Sequence, residues 1–363
     1  MADRLNVLIM GATYGSLLAQ KLLLAGHDCR LVCLPDEAEL INRDGLRTRM
    51  PVRGRDGLVE VHSAGAQGTV SACGPDEADP GAHDLVALAM QEPQYRLPGV
   101  RDLLGRVAEA RVPAMSIMNM PPLPYLARLP GVDVAGLRDC YADAAVWDGF
   151  DPSLMTLASP DPQAFRPPDA APNVLQVSLP TNFKVAAFER PEHTQMLRRI
   201  EADIQAVRFD PGDGSGAAEL PVKVRVHESV FVPLAKWAML LTGNYRCVTA
   251  DGPRAIREAV HADLQASGQV YDWVCEVCIA LGASEDDLVP FEKYAHAATG
   301  LAKPSSAARA LYAGAPFIER VDRLVQALAR SKDMRNDTVD RTVDLVDAQL
   351  ARNREAAPAR ASA

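Results

Sequence analysis

The chain has 363 residues, 48% of them hydrophobic and 23% charged, and carries a formal charge of −9. That length and apolar content can bury two cores, and the interspersed acids and bases argue against nucleic acid or an anionic membrane as the main partner. No apolar stretch approaches the ~20 residues of a membrane span.

Leu5 to Met10 is a short apolar run ending at Gly11, the pattern of a buried parallel strand, and it leaves no room for a hydrophobic signal core. Gly11-Ala12-Thr13-Tyr14-Gly15-Ser16 follows, then an apolar helix from Leu17 to Ala25, closed by Gly26 in the C-terminal capping place. Cys29 to Leu34 reads as a second strand, Asp36 to Arg43 as a helix and Asp44-Gly45 as a turn. Asp84 to Ala89 and Ala114 to Met118 read as further buried strands, with a helix over Val100 to Ala110 between them. From Pro121 to about Ala170 the pattern loosens into irregular structure or a late strand pair. Asn173 to Phe188 holds one or two strands, and His193 to Val207 a helix.

The glycine-rich loop Pro211 to Gly216 is the expected domain junction. Beyond it the segments 233–243, 254–281, 286–298, 304–313 and 316–350 all read helical, and Ala351 to Ala363 reads as a frayed tail. The expected organisation is a dinucleotide-binding domain over 1–215, a helical substrate and dimerisation domain over 216–350, and a disordered tail over 351–363. Seven cysteines, an odd number in a large chain, fit a reduced, cytoplasmic protein.

A strand, a glycine turn and a helix N-terminus make an anion site, because backbone N–H groups and the helix dipole converge where a pyrophosphate can sit. The usual G-x-G-x-x-G is replaced here by Gly11-x-x-x-Gly15-Ser16, with Thr13 where the second glycine stands. Close approach to the phosphates is expected to require glycine at 11 or 15. The expected nucleotide contacts are Gly11, Thr13, Tyr14, Gly15 and Ser16. At the end of the second strand an acid selects NAD and an arginine NADP. Cys33-Leu34-Pro35-Asp36 offers no arginine, so NAD is weakly favoured through Asp36, which is equally readable as a helix cap.

The run from Ile9 to Cys33, followed by Ile41-Asn42-Arg43-Asp44-Gly45-Leu46-Arg47, resembles the opening of the ketopantoate reductase-like family. Asp84 to Met90, Ser116 to Asn119, Leu234 to Trp237 with Asn244, and Pro304 to Pro316 extend the match over most of 5–120 and 230–335. The resemblance implies an α/β Rossmann-type parallel-sheet domain, a C-terminal all-helical domain like that of 6-phosphogluconate dehydrogenase, and an active site between the two. It implies hydride transfer from NAD or NADP to a 2-oxo acid-like carbonyl or imine. Lys236 would polarise the carbonyl and supply a proton, Asn244 would hold the substrate, Asn119 would sit beside the nicotinamide, and Ser306 would bind a carboxylate. A homodimer is the expected assembly. Gln91 stands where the family carries a lysine beside the cofactor, and Leu240 where it has an asparagine. The family's acid falls on Ile318, with Glu319 one place on. The alternative is a protein that keeps this fold without hydride transfer: a nucleotide-binding cyclase or isomerase, or a ligand-binding protein.

Lys236 stands out without the resemblance, as a charge within an otherwise apolar stretch from Val230 to Leu241. Such a lysine either snorkels or serves a site. His227-Glu228 lacks the second histidine of a zinc-protease helix, and the lone Cys275-x-x-Cys278 lies in a helical pattern, so no metal is expected.

Overall fold

The computed structural model describes residues 4–212, 214 and 216–360, and divides into two compact units. Asp213 and Ser215 of the predicted junction, and 361–363 of the predicted tail, lie outside the described residues.

The first unit comprises residues up to Met90, then Gln94–Tyr125 and Val146–Val230. Its elements in chain order are β1 (Asn6–Met10), α1 (Thr13–Leu24), β2 (Asp28–Val32), α2 (Pro35–Asp44), β3 (Arg47–Pro51), β4 (Leu58–His62), β5 (Val70–Cys73) and β6 (Leu85–Leu88). There follow α3 (Pro98–Ala110), β7 (Ala114–Ile117), the single turn α4 (Leu123–Leu126), β8 (Met155–Ser159), β9 (Gln163–Phe165), β10 (Val174–Leu179), β11 (Phe183–Ala186), α5 (Pro191–Ala206) and β12 (Val224–His227). The main sheet has the order β12-β11-β8-β7-β6-β1-β2-β5 and is parallel except where β11 meets β8. Counted along the chain, its first six strands run 3-2-1-4-5-6. That order reverses between β1 and β6, which is where a doubly wound sheet opens a crevice at its carboxyl edge.

The strands of that sheet are fully apolar where helices cover both faces: Val7 to Met10 and Leu85 to Leu88 have no exposed surface. Helix α1 ends as its sequence predicts. Gly26 takes φ +92°, its N–H bonds to Leu23 O, and His27 N–H bonds to Leu22 O, the paired closure that a left-handed glycine permits.

A second sheet, β4-β3-β10-β9, packs on α1, so this helix is buried along its whole middle, Gln20 and Lys21 included. Lys21 donates to Pro221 O at 2.8 Å, and burial brings its ammonium down to about 7.

The predicted boundary at 215 moves. The glycine loop is followed by one more strand, β12, which pairs in parallel with β11, so the first unit runs on to Val230. The second unit gathers Gln91–Pro93, Leu126–Ala145 and everything from Phe231. It contains α6 (Lys236–Met239), a two-residue hairpin of β13 (Val248–Thr249) and β14 (Gly252–Pro253), then α7 (Ile256–His261), α8 (Leu264–Ala280), α9 (Phe291–Ala298), α10 (Ser306–Tyr312), α11 (Val321–Arg330) and α12 (Asp337–Arg360). It is helical as expected, apart from that hairpin. The expected tail is also corrected: 351–360 continue α12. Asn353 is buried and its amide donates to Leu311 O at 2.7 Å and Ala315 O at 2.9 Å, which docks the last turns.

Candidate functional site

Two features hold the glycine turn. Gly11 N–H bonds to Val32 O and Ala89 N–H to Met10 O, both at 2.9 Å, so the turn is pinned between the ends of β2 and β6. Gly11 has φ +100°, and a Cβ there would stand 2.4 Å from Met90 Cγ and 2.9 Å from Ala89 O. Only glycine fits.

Helix α1 begins at once, at Thr13, so the loop is two residues rather than six. Its N-cap, Ala12, has no side-chain cap bond, its first turn contains no acid, and Ser16 turns its hydroxyl back onto Ala12 O. This is a helix N-terminus with nothing of its own over it. Gly15 serves differently from expectation. A Cβ on it would lie 2.6 Å from Ile9 Cγ2 in β1, so this glycine lets helix and strand approach.

Asp36 is exposed in the first turn of α2, whose N-cap is Leu34, so the capping alternative drops away. Its neighbour Glu37 is buried and bonded by Arg166, which arrives just beyond β9. Burial pushes the Glu37 carboxyl up and the guanidinium pulls it back. Sequence reading missed this arginine because 129 positions separate the partners. Half-buried Asn119 lies two residues beyond β7, and exposed Gln91 three beyond β6. The parallel strands β1, β6 and β7 end on the same edge, so Gly11, Gln91 and Asn119 all follow that edge in the chain.

In the second unit Lys236 is half-buried at the start of α6, between buried Ala235 and Trp237. The helix then widens into a π turn over Leu240–Asn244. In an α-helix eight residues leave Asn244 ~80° from Lys236, but a π turn advances only ~80° per residue and brings the two to within ~10°. The widening puts both side chains on one face.

Ser305 Oγ donates to Asn244 O at 2.7 Å and accepts from Ala308 N–H as the N-cap of α10. The serine tied to the Asn244 segment is therefore Ser305, and Ser306 is exposed at the first helical position. Ile318 and Glu319 are both buried and lie in irregular chain, so the helix expected over 316–350 begins only after them, with α11 at Val321. Tyr245, next to Asn244, donates its hydroxyl to Glu319 O at 2.5 Å and accepts from Val321 N–H at 3.0 Å. Thus a two-turn segment carries Lys236 and Asn244, and Tyr245 directly after it anchors the backbone of Glu319.

Glu92 is a residue that the sequence reading passed over. It is 2% exposed, its Oε1 accepts from Ala142 N–H at 3.1 Å, and burial, assisted by the charge of Glu319, pushes its carboxyl up to about 8. Its only sequence signal was its place directly after Gln91.

Cys275 and Cys278 lie within α8, and burial pushes both thiols up, the opposite of a reactive pair. Half-buried His227 is the last residue of β12. Among the described residues no group of three or more histidine, cysteine or acidic side chains could hold a metal, and no helix is long and apolar enough to cross a membrane.

No family model matches the chain, and no curated protein matches it. Solved structures do. A 2-dehydropantoate 2-reductase from Methylococcus capsulatus superposes with a TM-score of 0.63 at 14% identity, covering 96% of this chain and 98% of its own. This is the fold of the ketopantoate reductases. The dimeric ketopantoate reductase of Staphylococcus aureus gives a TM-score of 0.57 at 11% identity, over 96% of this chain and 100% of the other. D-mandelate dehydrogenase, solved with NADH and anilino(oxo)acetate, gives 0.62 at 11% identity, over 96% and 99%. The ketopantoate reductase-like architecture expected from sequence, a parallel-sheet domain followed by a helical region, therefore stands.

Proposed function

We propose that the protein is an NAD(P)H-dependent reductase of a small carbonyl or imine compound bearing a carboxylate. The observation that carries this is the uncapped, acid-free N-terminus of α1 behind Gly11, beside the point where the strand order reverses. A pyrophosphate fits there: the glycine clears its path and the helix dipole favours its charge. Gly11 in the turn and Thr13, Tyr14, Gly15 and Ser16 in the first turn of α1 are assigned to the nucleotide, with Asp36 toward the ribose and Gln91 and Asn119 toward the nicotinamide. NAD is weakly favoured.

Bound nicotinamide supplies the hydride. The chain supplies the rest. Lys236 places its ammonium on the substrate oxygen, meets the negative charge that develops there, and delivers the proton. Asn244, in phase with it, holds the substrate, Ser306 binds the carboxylate, and Glu319 accepts from the substrate's polar hydrogen. A homodimer in the cytoplasm is the setting we infer.

A second reading, the same fold without hydride transfer, draws on Gln91 and Ile318, which stand where the family carries a lysine and an acid. Lys236→Met separates the two. It keeps the apolar stem and removes the charge, so turnover of a 2-oxo acid should fall at least ~100-fold while NADH affinity barely changes. Turnover within a few fold of the wild type would make Lys236 a snorkelling lysine and overturn the mechanism.

A further inference from the structure

In a doubly wound sheet the adenosine half of a dinucleotide lies over the end of the second strand, and an arginine there accommodates a 2′-phosphate. The segment after β2 has no arginine, but the second sheet brings one to it. Arg166 follows β9 and donates from Nη2 to Oε1 of Glu37, in the first turn of α2. That turn stands directly on the strand end. Val32 O accepts from Gly11 N–H at 2.9 Å, Cys33 N–H donates to Cys73 O at 3.1 Å, and Ala38 N–H closes the turn on Leu34 O at 2.9 Å. Burial raises the Cys33 thiol, the charge of Glu37 adds to the rise and Arg166 opposes it, as expected of a pair beside the end of β2.

The pairing is incomplete on the arginine's side. One nitrogen of the guanidinium is engaged, and among the described residues Nε and Nη1 have no partner. The Arg166 side chain is 32% exposed against 11% for Glu37, so the guanidinium is the member that meets water. Leu34, the N-cap of α2, is 73% exposed, an apolar surface left bare at the strand end where an adenine ring would cover it.

We propose that Arg166 is the residue that recognises the 2′-phosphate of NADPH, and that its ion pair with Glu37 sets the choice between NADPH and NADH. NADH leaves the pair intact. A 2′-phosphate takes the open N–H groups of the guanidinium, which suit its oxygens, but it then stands close to the Glu37 carboxylate. Two anions share one cation, so Glu37 weakens the hold of Arg166 on the phosphate and the wild type has no strong preference. The role of Arg166 rests on the nucleotide site at the Gly11 turn.

Dissociation constants of the full chain for NADH and NADPH, read by nucleotide fluorescence at fixed salt, test this. Glu37→Gln should shift the ratio toward NADPH by at least ~10-fold, the scale of one charge-assisted hydrogen bond no longer contested. Adding Arg166→Gln to that variant should take the gain back. In competition against NADH, 2′-AMP should gain with Glu37→Gln and 5′-AMP should not. Should the amide fail to fold, Glu37→Asp, one methylene shorter and looser on Arg166, should move the ratio the same way by less. A ratio within a few fold of the wild type in Glu37→Gln overturns the proposal, as does a gain that survives loss of Arg166 or that 5′-AMP shares. If the wild type and the variants bind neither nucleotide, the site at Gly11 fails and the proposal with it; binding of both with an unmoved ratio overturns the proposal alone.

Discussion

Thr13→Glu separates the stability of helix α1 from its use as a phosphate cradle, because it should move the two in opposite directions. Thr13 is exposed and is the first helical residue, next to an alanine cap and in a first turn free of acids. A carboxylate there meets the positive end of the helix dipole, which stabilises by ~0.3–1 kcal/mol. The melting temperature of the unliganded protein should rise by ~1–4 °C. The same carboxylate stands where a pyrophosphate would sit. At ~5 Å the repulsion from one phosphate charge is ~0.8 kcal/mol in bulk water and ~3 kcal/mol at an effective dielectric constant of ~20. Affinity should therefore fall between ~4-fold and ~150-fold, most at low ionic strength, where screening is weak. Thermal unfolding and NADH fluorescence at 20 and 200 mM salt read both effects. Damage to the fold cannot imitate them, since it would lower the melting temperature. A Thr13→Glu protein that melts higher and binds NADH as tightly as the wild type would show that the nucleotide does not use this helix end.

Gly15→Ala should destabilise the protein by ~1–3 kcal/mol, since the new methyl meets Ile9 2.6 Å away; an unchanged melting temperature would show that helix and strand are not so close. Asn353→Ala should cost ~1–3 kcal/mol by stripping donors from two carbonyls, whereas a frayed tail would lose nothing. Glu92 ties stability to pH with a definite sign. Its folded pKa, about 8, lies above the ordinary 4.5, so the folded protein holds a proton that the unfolded chain has released. Stability should fall as pH rises through that window and should lose this slope in Glu92→Gln; parallel pH–stability curves for the two proteins would contradict it.

Features carried by contiguous residues were legible in the sequence: β1, the turn at Gly11, α1 and its Gly26 closure are set by neighbours in the chain. The second sheet was hidden because β3 reads Arg-Thr-Arg-Met-Pro, where two arginines mask the alternation that buries Thr48 and Met50. The boundary was misplaced because a glycine loop looks the same whether it links domains or precedes a last strand. At the site, Lys236 and Asn244 were legible as a pair, but the π turn that aligns them leaves no mark in composition. Ser305 rather than Ser306, Arg166 against Glu37, and Glu92 against the backbone of Ala142 depend on contacts across tens to more than a hundred residues, which no local pattern encodes.

Titrating the purified protein with NADH and with NADPH at fixed salt, and following nucleotide fluorescence, decides whether a nicotinamide dinucleotide is held at the turn behind Gly11. Saturable binding is expected below millimolar concentration, with NADPH favoured over NADH by no more than ~100-fold, or ~2.7 kcal/mol. Absence of binding by either nucleotide at millimolar concentration would contradict it.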